Sequence, residues 1–220
     1  KQIDSVNVNK SMGFHVHISV ENYSISSLIK ICQNFVKYED AIDTFMAPSR
    51  RTGSSESKLY FKSNKDAVKG ENATNAEIHK ALASCRTIEE LGSMINPTGR
   101  YYKLNLQNLV SRRQPTVEFR QHSATCNGSK INAWIRFCML LTTNSHKFPA
   151  PKSLKNSRSA DDQFELLFQY VIKDRALKNY FIHRQSQVMT EQDETPCCDG
   201  CGDGHGCNAG KRVSFDPNYL

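Results

Sequence analysis

Strict alternation of apolar and polar positions marks the first element of the chain. In Gly13 to Val20, GFHVHISV, the side chains of Phe14, Val16, Ile18 and Val20 share one face. His15, His17 and Ser19 share the other. Period two predicts a half-buried strand with two imidazoles on its polar face. After a turn at Glu21–Ser24, the apolar positions Leu28, Ile31, Cys32, Phe35, Ile42 and Phe45 recur at helical spacing, and Pro48 closes that helix. Ser49, Arg50, Arg51 and the polar run to Ser57 read as loop, Leu59–Phe61 as a short strand, and 75–84 and 87–95 as two short helices. The second opens on a capping-box pattern, Thr87 with Glu90 three residues on.

Beyond the Pro97-Thr98-Gly99 turn, RYYKLNLQNL from Arg100 to Leu109 alternates again. Tyr102, Leu104 and Leu106 fall on one face, and Lys103, Asn105 and Gln107 on the other. In Thr116 to His122, TVEFRQH, Val117 and Phe119 turn inward while Glu118, Arg120 and His122 share the polar face. A helix over 131–141 and an amphipathic pair over 161–172 and 175–184 complete the pattern. From about Gln187 the composition turns acidic, then Cys- and Gly-rich, which reads as a tail. The expected division is a domain over 1–186 and a tail over 187–220. One-sided alternation on each strand predicts an α+β fold with an antiparallel or mixed sheet packed by helices, not a doubly wound one.

Composition narrows the classes. With 220 residues, 38% of them hydrophobic, the chain can bury a core. It has no apolar run long enough to span a bilayer, and its polar beginning is no secretory signal. The opening at Lys1, without methionine, reads as a processed product or part of something longer. Against 22 acids stand 29 Lys and Arg, a surplus of +7. They are dispersed, and no aromatic-basic recognition module accompanies them, so nucleic acid is disfavoured as a partner. Cys32, Cys85, Cys126 and Cys138 are scattered and read as buried thiols of a reducing compartment. The sequons at Asn22, Asn72 and Asn127 read as chance. The expected location is therefore cytoplasmic, with no membrane partner.

Two strands that each present functional groups at i, i+2 are the strongest chemical signal. If they are neighbours, one sheet face carries three imidazoles, a carboxylate and a guanidinium. Such a face can bind a divalent cation through His and Glu, with Arg neutralising a phosphate beside it. A single His-x-His would read better as a solvated polar face. Both strands together read better as a site.

Taken together, GFHVHISV, the Ser49-Arg50-Arg51 turn, RYYKLNLQNL and TVEFRQHSATCNGSKINAWIRF resemble the amidoligase family, which is related to glutamine synthetase and glutamate–cysteine ligase. The resemblance runs from about Asn9 to Phe137, and the helical pair over 161–184 also fits. It implies an ATP-dependent carboxylate–amine ligase acting on a peptide, protein or amino-acid carboxylate through an acyl-phosphate, with Mg2+ or Mn2+ at the phosphates. Carried over by motif, His15 is a metal ligand and His17 a contact to nucleotide phosphates. Glu118 is a metal-ligand carboxylate and Arg120 the clamp on the phosphoryl group. Arg50, Arg51, Arg100 and Asn105 are further candidates for phosphate and substrate contact, while His122 receives no role. One departure matters. The family carries an upstream Glu-x-Glu strand, and Lys1 to Asn9 holds one acid, Asp4. The acid pair then comes from a preceding segment or a second chain, a homo-oligomer included, or the chain is a catalytically degenerate structural or binding relative.

The tail carries separate chemistry. Cys197, Cys198, Cys201, His205 and Cys207 lie within eleven residues and offer more ligands than one tetrahedral zinc needs. A zinc knuckle, a redox-sensitive cluster and an unstructured tail all remain open.

Overall fold

The computed structural model describes residues 12–70, 72–147 and 159–190, together with Val8. Three short strands pair antiparallel in the order β1-β3-β2: β1 is Val16–Ser19, β2 is Leu104–Asn105 and β3 is Thr116–Phe119. The last strand in sequence thus lies in the middle. The register sets His17 and Asn105 on either side of Glu118, and Val16 and Leu104 on either side of Phe119. One row across the sheet is polar and the next apolar, as the alternation predicts.

Among the described residues, ten α-helices surround this sheet. Before β2 come α1 (Ile25–Lys37), α2 (Glu39–Thr44), α3 (Ser57–Tyr60), α4 (Asn64–Lys69), α5 (Asn75–Ala83) and α6 (Ile88–Ile95). They are followed by α7 (Gln107–Val110), α8 (Gly128–Lys147), α9 (Ala160–Leu166) and α10 (Arg175–Thr190). A 3-10 turn covers Pro48–Arg50, and a π-helical run, Leu167–Ile172, continues α9. Helices α1 and α8 pack on each other and on the apolar sheet face, where the Phe119 ring meets Phe35 at 6.0 Å and Trp134 at 6.4 Å. Phe45 joins the C-terminal helices to this core through Phe181 at 4.3 Å and Phe137 at 5.5 Å. The fold is α+β.

Local differences from the sequence reading have local causes. The first helix is two, because the chain bends at the buried Tyr38, whose N–H reaches the carbonyls of Asn34 and Phe35. Leu59–Phe61 is no strand: 57–60 close a helical turn, and pairing begins only with a bridge between Lys62 and Tyr102. RYYKLNLQNL contributes a regular strand only at Leu104–Asn105 and ends there, because the Asn105 side-chain oxygen accepts the Gln107 N–H and turns the chain into α7. The reciprocal capping box is at Thr74 and Glu77; Thr87 caps α6, but the Glu90 carboxylate takes the Arg86 N–H instead. Cys32, Cys85 and Cys138 are buried as expected, whereas Cys126 is exposed before α8. Helix α10 runs to Thr190, past the composition change at 187. The tail residues Cys197, Cys198, Cys201, His205 and Cys207 lie outside the described residues.

The outer side of β2 is closed by side chains. Asn64 and Asn96, both buried, donate their amides to the Leu104 carbonyl, and their side-chain oxygens accept the N–H groups of Leu104 and Leu106 respectively. No helix of the described residues is long and apolar enough to cross a membrane.

Candidate active site on the polar sheet face

Glu118, on the central strand, is the hub of the polar face and is almost fully buried. Its Oε1 receives Arg120 Nη1 at 2.5 Å and lies 3.0 Å from His15 Nδ1 and 3.6 Å from His17 Nε2. Its Oε2 accepts the Asn105 amide at 2.6 Å. The sheet register produces this directly, since Asn105 and His17 are the cross-strand partners of Glu118 and Arg120 follows it by two residues. Burial pushes the carboxyl pKa up. The hydrogen bonds from His15 and Asn105 and the charge of Arg120 and His17 outweigh it, so the group sits at about 2 instead of 4.5.

That shift has a sign. A carboxyl that holds its proton less tightly folded than unfolded stabilises the fold in full above pH 4.5, and the contribution fades as pH falls toward 2. The magnitude is about 3 kcal/mol. Urea denaturation of the protein and of Glu118→Gln should therefore show a stability gap that narrows steadily below pH 4.5. A gap independent of pH down to 2.5 would contradict the assignment.

His15 is oriented from both sides. Its Nδ1 lies 3.0 Å from Glu118 Oε1, and its Nε2 faces Gly13. A Cβ built on Gly13 would stand 2.6 Å from that Nε2 and 3.7 Å from Arg50 Nη1. Only glycine leaves the imidazole its place. Gly13→Ala should displace the ring and destabilise the protein by about 1–3 kcal/mol. Long-range 15N correlation spectra of the histidine rings would report the displacement, and an unmoved His15 would refute it.

The sequence itself now places the chain: a family model described as "Putative amidoligase enzyme" matches residues 3–142. The chain belongs to that family. No curated protein and no solved structure gives a match.

The residues expected at the site fall into two groups. His15, His17, Asn105, Glu118 and Arg120 converge on one face. Arg100 stands exposed at its rim and donates to the Tyr101 hydroxyl at 3.3 Å. Arg50 is buried, donates to the Met12 carbonyl at 2.7 Å and lies over the Phe61 ring. Arg51 turns away, its Nε on the Met46 carbonyl at 2.9 Å. His122 is not on the polar face. The strand ends at Phe119, and the His122 ring lies 5.4 Å from Trp134 and 5.9 Å from Phe14, with Nδ1 on the Ser123 carbonyl.

Divalent cations fit this face poorly. Magnesium prefers several oxygen ligands, and the face offers one carboxylate whose two oxygens already take four donors or partners. A guanidinium stands beside the Glu118–His15 contact, with Arg120 Nη1 2.5 Å from Glu118 Oε1 and 3.3 Å from His15 Nδ1. Among the described residues, no group of three His, Cys, Asp or Glu side chains is placed to hold a metal ion. The face suits an anion better than a cation.

Sequence reading missed a second charged cluster beneath the site. Lys103 is 0% exposed, and its ammonium contacts Glu39 at 3.1 Å, Asp43 at 2.6 Å and the Thr52 hydroxyl at 2.6 Å. Gln121 donates to Asp43 and, at 3.1 Å, to the Arg50 carbonyl, while the Thr52 N–H reaches Asp43 at 2.8 Å. Burial opposes the charge of Lys103, but the two carboxylates win and raise its pKa; burial raises that of Glu39. The cluster pins the Arg50 loop against the end of β3. Its signal was present: Glu39 and Asp43 are spaced i, i+4, which puts both acids on one helix face.

Proposed function

We propose that this amidoligase is an ATP-dependent ligase that joins a carboxylate to an amine through an acyl-phosphate. The observation that carries the reading is the buried Glu118–Arg120 pair, fixed on the central strand with Asn105 on the second carboxylate oxygen. Arg120 is oriented by Glu118, and its Nε is buried without a hydrogen-bond partner among the described residues. Such a guanidinium can hold a phosphoryl or carboxylate oxygen without reorganising during reaction. His17 is steadied by Thr116, at 3.1 Å from Nδ1, and stands beside the same carboxylate. Arg100 adds positive charge at the open rim.

In this reading the terminal phosphoryl of ATP passes to a carboxylate oxygen, releasing ADP. The amine nitrogen then attacks the acyl carbon, loses a proton and displaces phosphate. Arg120 neutralises charge on the migrating group, and Glu118 and Asn105 hold Arg120 in place. No step is assigned to a metal ion at Glu118, because both of its carboxylate oxygens are already engaged.

The single, fully engaged carboxylate equally supports a second reading, in which the chain binds its ligands without turnover. The two separate in an assay of ADP release with a panel of carboxylates and amines. The ligase reading expects release that requires both substrates, increased when an acidic Glu-x-Glu strand is joined to the chain. Nucleotide binding without release, even from the longer chain, would favour the binding protein. No nucleotide binding at all would refute the ligase.

A further inference from the structure

The large exposed apolar side chains are unevenly placed. Leu59 is 61% exposed, Tyr60 55% and Tyr101 38%, and the last two meet edge-to-face at 6.2 Å between ring centroids. Single exposed apolar residues need no explanation, but an adjacent group beside a charged clamp does. The Tyr101 ring stands 5.7 Å from the Arg120 guanidinium carbon and 5.2 Å from that of Arg100. The Lys62 N–H bonds the Tyr101 carbonyl at 2.9 Å, so α3, which carries Tyr60, is tied to the Tyr101 segment. The two rings therefore form a fixed wall that begins at Arg120 and runs outward.

We infer that Tyr101 and Tyr60 bind the flank of the carboxylate substrate, and that this substrate is an extended peptide with an aromatic or large apolar side chain two residues from the reacting acid. The inference rests on the ligase reading, in which Arg120 holds that acid. A carboxylate oxygen on a guanidinium lies about 2.8 Å from its nitrogen, so the atoms that follow it pass over the Tyr101 ring. Same-face side chains of an extended peptide repeat every ~6.6 Å. An acid held at Arg120 with its own residue lying over Tyr101 is then one such step from Tyr60, whose ring centroid is 6.2 Å from that of Tyr101. The exposed Arg100, whose guanidinium carbon lies 5.2 Å from the Tyr101 ring, favours an acidic peptide. A free amino acid would leave the outer ring, Tyr60, uncovered.

Calorimetry on the whole chain tests this with defined probes: acetyl-Glu-Gly-Phe-amide, acetyl-Phe-Gly-Glu-amide, their alanine counterparts, free glutamate and inorganic phosphate. One phenylalanine peptide should bind about tenfold more tightly than its alanine counterpart and than glutamate, in line with a ring moved from water onto an apolar wall. Tyr60→Ala, at an exposed position, should erase that preference and leave phosphate affinity unchanged. Arg120→Lys should weaken phosphate and peptides alike. Equal binding of phenylalanine and alanine peptides, a preference that survives Tyr60→Ala, or no peptide binding would overturn the inference. If phosphate still binds and depends on Arg120, those results leave the ligase reading standing. Loss of the reading itself would show as phosphate and ATP binding indifferent to Arg120.

Discussion

Arg120→Lys should lower phosphate and nucleotide affinity at least about tenfold while the protein stays folded. The substitution keeps the charge but exchanges a planar fork of five donors for a single flexible ammonium. Glu118 would retain a cation within reach, so the buried carboxylate is not left alone. What disappears is the second edge of the guanidinium, including Nε, which is buried and has no hydrogen-bond partner among the described residues. Tyr101 also loses a planar group to lie against, since the Arg120 guanidinium carbon stands 5.7 Å from its ring. Calorimetry with ATP and with inorganic phosphate gives the affinity, and circular dichroism confirms the fold. Unchanged affinity would remove Arg120 from the phosphate site.

Lys103→Met should cost about 3–5 kcal/mol of stability, the largest effect expected from any one side chain of the polar network. Methionine fills much of the same space but takes the cation from Glu39 and Asp43. Glu39 is fully buried, and its other oxygen already accepts the N–H groups of Asn64 and Lys65 at the start of α4. Neither acid can swing out to water without unpicking α4 or the Arg50 loop. Urea denaturation would show the loss, and adding Asp43→Asn to Lys103→Met should recover part of it. A cost below about 1 kcal/mol would mean that the two acids find protons or water at little expense.

The two strands that carry the site were legible because alternation needs only local sequence. HVHIS and TVEF obey it, and the structure pairs them so that His17 faces Glu118 across the sheet. The apolar partners Val16 and Phe119 stand together in the adjacent row. Elements decided by side-chain competition were not legible. RYYKLNLQNL alternates as cleanly as the true strands, yet it leaves the sheet after Asn105 because that side chain bonds the backbone two residues on. His122 continues the alternation of β3 in sequence, but the regular strand ends at Phe119; beyond it the His122 carbonyl still accepts the Phe14 N–H, while the ring settles against Trp134. The acids that hold Lys103 come from α2, some sixty residues earlier in the chain, and no periodicity links positions that far apart. Glu118 was read as a ligand for a metal ion; the ion pair it makes with Arg120, two residues along the same strand, was not read from the sequence.

Asn64 and Asn96 carry a consequence for how the sheet can grow. A strand at the border of a sheet ordinarily offers its free backbone groups to any chain that passes. Here the amides of two asparagines stand where the peptide groups of a fourth strand would be, and Lys62 takes the next position through its bridge to Tyr102. Pairing beyond β2 is foreclosed without ejecting both asparagines. A further strand from another part of the polypeptide or from a second copy would have to add beside β1, where any side chains on its polar face would arrive next to His15 and His17.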